Sequence, residues 1–326
     1  MKTWLRIAIT LLLSALLLIY VVDIRVVLQT LARCDPLWAI VALAALTIDR
    51  VLMSYKWGLL LAIRGYRVTL AQRLMVYCSA MMWGLALPST VGADGIRVML
   101  IRRFDVRVDD TLATILVERG VGFISALLTA IIGLVILRSV LPDAAVYDVA
   151  LISGVLALAA AIGILVFSFS SSALTSVIGL LPHRFAASKV VLLLKRLHEA
   201  YRSLAFDRRR LAAFSVLTLA EQVLMIACYG LVAVALGVEF DATFLFAAVP
   251  LAILISRLPV SIDGIGVYEG IFMAVMTLGG VRPEDSLAIS LAARALQIIV
   301  WLPWWLALMG RTGAIRPPTA PASPTS

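Results

Sequence analysis

Long apolar stretches recur along the whole chain, and they limit its fold more than any other feature. Residues 149–168 contain no charged side chain. Five further stretches are long and mostly apolar: about 4–22, 36–63, 111–137, 211–236 and 285–309. About 20 apolar residues in a helix cross the hydrocarbon core of a bilayer, and a helix satisfies its own backbone hydrogen bonds there. The sequence therefore predicts an all-α integral membrane protein with about six full transmembrane helices.

Composition excludes a soluble globular protein. Of 326 residues, 63% are hydrophobic and 14% are charged, whereas soluble domains carry about 25% charged residues. The net charge of +9 does not indicate nucleic-acid binding, because no surface of mixed basic and aromatic residues accompanies it. Cys34, Cys78 and Cys228 are too scattered for a metal site or a disulfide framework. No metal or cofactor is expected.

Basic residues between the apolar stretches predict the topology. Lys and Arg are concentrated in 173–210, which also has apolar residues at helical spacing and is predicted to be a cytoplasmic amphipathic basic insert lying on anionic lipid. Counting spans from this insert predicts a multi-pass protein with both chain termini in the cytoplasm. The first stretch is interpreted as an uncleaved span, and the Pro-rich segment 311–326 as a disordered tail.

Two pairs of shorter apolar segments, at about 74–101 and 243–279, do not fit as spans. Each pair is interrupted by a Pro- and Gly-containing run, Leu87–Gly95 in the first and Leu258–Gly264 in the second. By the same charge count, each pair begins and ends on one side of the membrane. Each is therefore predicted to be a re-entrant helical hairpin, the first from the cytoplasm and the second from outside.

The two halves of the chain resemble each other. Residues 1–138 and 145–310 are predicted to be membrane repeats of opposite orientation, an arrangement that brings broken helices together near the membrane midplane. Chance similarity between apolar segments of low complexity is the alternative. The matched positions are Asp49 with Glu221, Asp94 with Asp263, and Arg119 with Arg294.

Ionisable residues within predicted membrane segments are functional candidates, because a charge at the bilayer centre costs about 3 kcal/mol. The half-helices that begin near Gly95 and Gly264 would direct positive N-terminal ends towards the midplane and favour an anion there. The predicted substrate-binding residues are Asp94, Arg97, Arg119, Asp263, Glu269 and Arg294. The candidates for proton coupling are Asp49, Glu118 and Glu221.

Ion pairs between these candidates are also expected. We expect Arg119 to reach Asp94, and Arg294 to reach Glu269 or Asp263. The alternative is that these pairs only hold the hairpins together. Asp49, Arg50 and Lys56 are weaker candidates, because their side chains could reach the inner membrane interface.

The hairpin motifs resemble the lysylphosphatidylglycerol synthase transmembrane-region family of flippase-like proteins. The resemblance covers about residues 5–310 and is carried by Leu87–Arg97, Val117–Arg119 and Leu258–Gly270. The resemblance implies a multi-pass protein of the bacterial cytoplasmic (inner) membrane that handles lipids. The best-known members add a soluble lysyl-transfer domain, and this sequence ends at Ser326 without one. Phosphatidylglycerol lysyltransferase activity is therefore not expected.

Three positions depart from the pattern of that family. Ala93 replaces a usual second Gly, Asp263 stands at a position that is commonly Gly or Ala, and Tyr268 replaces the Arg that usually precedes Glu269. The last change removes a positive charge from the second hairpin.

The predicted function is a flippase-like lipid transporter that moves a phospholipid or another phosphate-headgroup lipid, such as a polyprenyl phosphate, between leaflets. Its partners are then membrane lipids and not nucleic acid. No catalytic residue is predicted, since Ser89 and Ser261 have no His in reach. The alternative is an accessory or subunit of an enzyme of aminoacyl-lipid, glycolipid or hopanoid biosynthesis.

Overall fold

The computed structural model describes residues 23–85, 90–140, 144–170, 189–256 and 264–312, and this part of the chain contains eleven α-helices and no strand. The helices are α1 (Ile24–Ala32), α2 (Pro36–Ile63), α3 (Leu70–Gly84), α4 (Thr90–Ile101), α5 (Val108–Val140), α6 (Ala144–Ser168), α7 (Lys189–Ser203), α8 (Arg208–Ala235), α9 (Ala242–Ser256), α10 (Val267–Leu278) and α11 (Pro283–Thr312). The predicted first span and the tail beyond residue 312 lie outside the described residues.

Five helices are long and apolar enough to cross a membrane, and they coincide with five of the predicted spans. The chain is thus an all-helical, multi-pass membrane protein. The spans are Pro36–Ile63, Val108–Val140, Asp148–Ser168, Arg208–Ala235 and Pro283–Gly310.

Local sequence explains where several helices begin. Asp35 caps α2, accepting a hydrogen bond from the Leu37 amide at 2.8 Å, and Pro36 occupies the first turn, where its missing N–H is not needed. Thr69 and Gln72 form a reciprocal capping box at the start of α3.

The helices α2 and α8 pack against each other at the centre of the bundle. Around them, α3 packs against α4 and α11, and α9 packs against α10 and α5. Helix α6 packs against α5, and none of the residues in its apolar window is buried. Helix α6 therefore lies at the edge of the bundle, with most of its side chains exposed.

The predicted hairpin segments contain two pairs of short helices, α3 with α4 and α9 with α10. Helices of 15 and 12 residues rise roughly 23 and 18 Å, less than the ~30 Å hydrocarbon thickness. The tips at 86–89 and 257–263 lie outside the described residues. The re-entrant path thus stays a prediction.

Helix α7 is the described part of the predicted basic insert. Its residues Ala200 and Tyr201 are buried, and the Tyr201 ring stacks on Phe169 with ring centres 4.4 Å apart. Arg202 also donates to the carbonyl oxygen of Phe169 at 3.0 Å. The prediction that this apolar face lies on lipid is therefore wrong for the described residues, because the face packs against the protein itself.

Candidate functional site

A cavity of about 450 Å³ lies where α2, α3, α4, α5 and α8 meet, and α9 and α11 contribute one residue each to its wall. Ligand pockets in proteins span about 300–1,000 Å³. Three cations and three carboxylates line this one: Lys56, Arg97, Arg119, Asp94, Glu118 and Glu221. Five of the nine site residues proposed from sequence are therefore brought together in one place.

The cavity residues Glu118 and Glu221 lie well inside two of the candidate membrane spans. From Val108 to Glu118, α5 rises roughly 15 Å, and from Arg208 to Glu221, α8 rises roughly 20 Å. Both distances fall within a hydrocarbon core of about 30 Å. The charged groups of the cavity therefore depend on one another and on water for their stabilisation.

Arg97 on α4 is completely enclosed. Its two terminal nitrogens donate to the two carboxylate oxygens of Glu118 on α5, at 3.1 and 2.5 Å. The guanidinium carbon also lies 4.0 Å from the ring centre of Trp57 and 4.7 Å from that of Tyr77. Glu118 thus neutralises the charge of Arg97, and the substrate-binding role of Arg97 stays a prediction.

Asp94 and Arg119 form the pair expected from the sequence. The Nε of Arg119 donates to the Asp94 carboxylate at 2.6 Å. The Arg119 side chain is 47% exposed, unlike the other two cations of the cavity. Arg119 is therefore the most accessible of the three cations on the described cavity wall.

Lys56 on α2 and Glu221 on α8 are joined by a buried ion pair. The Lys56 ammonium also lies 3.4 Å from the Thr218 hydroxyl. The expectation that Lys56 reaches the membrane interface is therefore wrong, because packing of α2 against α8 encloses the side chain.

Asp49 and Arg50 are buried and paired with each other, with Arg50 Nε donating to Asp49 at 2.8 Å. The expectation that these two side chains reach the interface is wrong for the same reason. Neither is part of the cavity wall in the described residues. The proton-coupling role of Asp49 stays a prediction.

Two candidates of the second half, Glu269 and Arg294, are not part of the described cavity wall. Glu269 Oε1 lies 3.4 Å from Arg294, one of the two partners expected for that arginine. The other Glu269 oxygen accepts from the Gly266 amide at 2.7 Å and so caps α10. Asp263 lies outside the described residues.

Sequence reasoning did not identify the aromatic cage of Arg97 or the neutral polar groups of the wall. Trp57, Tyr77, Thr218 and Gln222 stand at positions that an apolar helix uses for packing, so their type alone gives no signal. Lys56 could have been recognised as a cavity residue, because it is a charged residue in the middle of an apolar run. The described residues hold no cluster of three or more potential metal ligands.

Comparison with known families supports the resemblance seen in the hairpin motifs. Residues 4–304 match the family described as Lysylphosphatidylglycerol synthase TM region. The chain belongs to this family. A search of curated proteins finds no match. The lysylphosphatidylglycerol synthase transmembrane region of this chain includes all six charged residues of the cavity.

Proposed function

We propose that this protein is a flippase-like transporter that moves a phospholipid or another phosphate-headgroup lipid between leaflets. The headgroup passes through the charged cavity while the acyl or isoprenoid chains stay in the bilayer. The observation that carries the proposal is the exposed side chain of Arg119, which lines a cavity between candidate membrane spans.

Fixed charges in the cavity lower the main energetic barrier to this movement, which is the dehydration of the headgroup. A headgroup that crosses the hydrocarbon alone loses its hydration, and an unpaired charge there is costly. Arg119 supplies a donor for a phosphate oxygen, and Thr218 and Gln222 supply neutral polar contacts. Arg97 and Glu118 hold the wall in place, because their mutual ion pair leaves neither free to move with a ligand.

An inverted repeat is part of the proposal, with a corrected register. Asp94 corresponds better to Glu269 than to Asp263. Asp94 contacts Arg119 and Glu269 contacts Arg294, and the two arginines follow their partners at the same distance along the sequence. Both second short helices also end in a turn with a left-handed residue, Asp105 (φ 59°) and Gly280 (φ 82°). The equivalent positions are Asp94 and Glu269, Asp105 and Gly280, Arg107 and Arg282, Asp110 and Asp285, and Arg119 and Arg294.

Helix packing supports the same repeat. If α2 to α5 correspond to α8 to α11, the contact of α3 with α11 has its equivalent in the contact of α9 with α5, and both contacts are present. The central contact of α2 with α8 then joins two equivalent helices.

The halves differ where the cavity is charged. The stacking of Arg97 on Trp57 has its equivalent in Phe272 and Tyr229, whose ring centres lie 5.5 Å apart. The second half thus has apolar packing where the first has an ion pair, and Glu221 is its only charged residue on the described cavity wall. The substitutions from first to second half are Lys56 to Cys228, Arg97 to Phe272 and Glu118 to Ala293.

Lipid exchange in proteoliposomes tests the proposal. Phospholipids carry a fluorophore on an acyl chain, and a quencher that does not cross the membrane reports those in the outer leaflet. We expect faster exchange with the protein than in protein-free vesicles, and slower exchange with Arg119→Gln. Arg103→Gln is the matched control, because Arg103 is exposed and lies outside the cavity wall. Exchange at the protein-free rate, or equal rates for Arg119→Gln and the native protein, contradicts the proposal.

A further inference from the structure

Arg73, near the start of α3, is a partly buried cation without a partner among the described residues. Its Nε is enclosed and forms no hydrogen bond, whereas its terminal nitrogens stay accessible. A buried donor without an acceptor is costly. The other described arginines that are buried or partly buried each contact an oxygen atom of another residue: Arg50 with Asp49, Arg64 with Asp110, Arg97 with Glu118, Arg202 with Phe169 and Arg294 with Glu269.

Helix packing, and not an ion pair, holds the guanidinium of Arg73 in place. The guanidinium lies directly against Gly58 of α2, where an added Cβ would overlap with it. Helices α2 and α3 are in contact, and the glycine leaves the room that the arginine side chain occupies. The donors on the terminal nitrogens are therefore held at one position and are not used by any described residue.

The proposed repeat provides a comparison for this contact. Under it, Gly58 and Arg73 correspond to Gly230 and Leu245. Arg73 and Leu245 each lie four residues after the residue whose side chain caps their helix. The Leu245 Cδ2 would lie 3.2 Å from a Cβ on Gly230, so a similar close approach is present there, and Leu245 is buried. A leucine therefore suffices for the packing, and the charge of Arg73 needs another explanation.

The position of Arg73 along the helices indicates the kind of ligand. Helix α2 has 28 residues and rises roughly 42 Å, about the thickness of a bilayer with its headgroups. Gly58 lies five residues before the end of α2 at Ile63, roughly 7.5 Å along the axis. Tyr55 is 49% exposed and close enough to interact electrostatically with Arg73, and tyrosines are enriched at membrane interfaces. Arg73 therefore lies near the level where lipid phosphates meet the hydrocarbon.

We propose that Arg73 binds the phosphate group of a phospholipid where α2 ends and α3 begins. A guanidinium forms strong, directed hydrogen bonds with phosphate oxygens, and the Tyr55 hydroxyl offers a further donor. Ile48 lies two helical turns before Tyr55 on the same face of α2 and is 60% exposed, so an acyl chain has an apolar surface to follow. A free phosphate ion would lack this second contact. The site is separate from the cavity, because Arg73 is not part of the described cavity wall.

Lipid binding to the detergent-purified protein, measured by native mass spectrometry, tests the proposal. The probes are phosphatidic acid and diacylglycerol with the same acyl chains, since they differ only in the phosphate group. Arg73→Leu copies the equivalent Leu245 and so keeps the packing against Gly58. We expect it to weaken phosphatidic acid binding at one site roughly tenfold, about 1.4 kcal/mol, and to leave diacylglycerol binding and thermal unfolding unchanged. Unchanged binding of phosphatidic acid overturns the proposal. If Arg73→Leu does not fold, Arg73→Gln is held to the same two outcomes.

Two matched variants separate this site from other sources of binding. Arg103→Leu also removes one positive charge, from an exposed position, and should leave phosphatidic acid binding unchanged. An equal loss in Arg103→Leu would mean that net charge alone decides binding, and it would overturn the proposal. In an Arg119→Gln background, Arg73→Leu should cause the same loss as in the native protein. Absence of that loss would place the lipid in the cavity instead.

Inorganic phosphate distinguishes a lipid from a free anion as the ligand. At the concentration of the lipid, it should not displace phosphatidic acid from the protein, because it has no chain to bind along α2. Displacement would assign the site to a free phosphate ion and overturn the lipid assignment. The result is independent of transport, since binding in detergent requires no movement between leaflets.

Discussion

Arg97 and Glu118 bind each other through two parallel contacts between α4 and α5, and Trp57 on α2 covers the guanidinium. This relationship joins three helices around one buried charge. It fixes the second short helix of the first half against a transmembrane helix. Arg119, the residue after Glu118, is thereby held so that its side chain reaches the cavity.

Glu118→Gln should strongly destabilise the protein, because it leaves Arg97 buried without a negative partner. Removal of one member of a buried ion pair costs about 3–5 kcal/mol. Thermal unfolding in detergent measures the effect. The double variant Arg97→Met with Glu118→Gln should unfold at a higher temperature than Glu118→Gln alone, because no buried charge is left unpaired. A double variant less stable than the single one contradicts this account of the pair.

Asp94→Asn should impair transport with little effect on stability. The Arg119 side chain is 47% exposed and that of Asp94 is 15% exposed, so loss of this pair should cost less than the ~3–5 kcal/mol of a fully buried pair. We expect an unfolding temperature close to that of the native protein, with leaflet exchange slowed roughly tenfold, as for a loss of about 1.4 kcal/mol. A marked drop in unfolding temperature with normal exchange would instead mean that the pair only holds α4 to α5.

Gly133→Ala should weaken the contact between α5 and α9. A Cβ on Gly133 would lie 2.7 Å from the Ala247 Cα and 3.0 Å from the carbonyl oxygen of Phe246, so one helix must move. The carbonyl of Phe246 has no helical N–H partner because Pro250 supplies none. We expect the free energy of unfolding to fall by about 1–3 kcal/mol, as for other overpacked substitutions, and thermal unfolding in detergent measures it.

Gly163→Ala on α6 is the control for this substitution, since nothing lies within 4 Å of its added Cβ. It should leave thermal stability unchanged or raise it, because Ala favours a helix over Gly by about 1 kcal/mol. Equal losses for the two substitutions would show that backbone propensity, and not the close approach of α5 and α9, decides the result.

Ionisation of Tyr66 should lower the stability of the protein at high pH. Burial and the hydrogen bond that the Tyr66 hydroxyl donates to Asp110 at 2.5 Å raise the pKa of Tyr66 above its ordinary value of 10.0. A raised folded-state pKa gives stability that is fully present below pH 10 and is lost as the pH rises through the folded-state pKa. The stability of the Tyr66→Phe variant should therefore depend less on pH than that of the native protein above pH 10. Parallel stability curves for the two proteins contradict this prediction.

The sequence was sufficient for features that depend on local hydropathy and on charge type. Five described spans fall where apolar stretches are long, because a membrane helix needs only length and apolarity to be recognised. The ion pair of Asp94 with Arg119 was also expected, because an unpaired charge inside the membrane is costly and two opposite charges there tend to pair.

Other features depend on how helices pack, and the sequence alone could not give them. Glu118 was expected to find some partner, but the choice of Arg97 depends on the register of α4 against α5. Lys56 is near enough to a helix end to reach water, and only the position of α8 encloses it. The proposed equivalence of Asp94 with Glu269 depends on the contact that each residue makes with an arginine, and those contacts are visible only in the structure.

Photo-crosslinking tests most directly whether a lipid headgroup occupies the charged cavity. A phospholipid that carries a photoreactive group on its headgroup is incorporated into proteoliposomes, and the crosslinked residues are identified by mass spectrometry. The account predicts crosslinks at Met81, Phe123 and Trp301 on the cavity wall, reduced by Arg119→Gln and unchanged by Arg103→Gln. Crosslinks confined to the exposed residues of α6, with equal yield in Arg119→Gln, would contradict it.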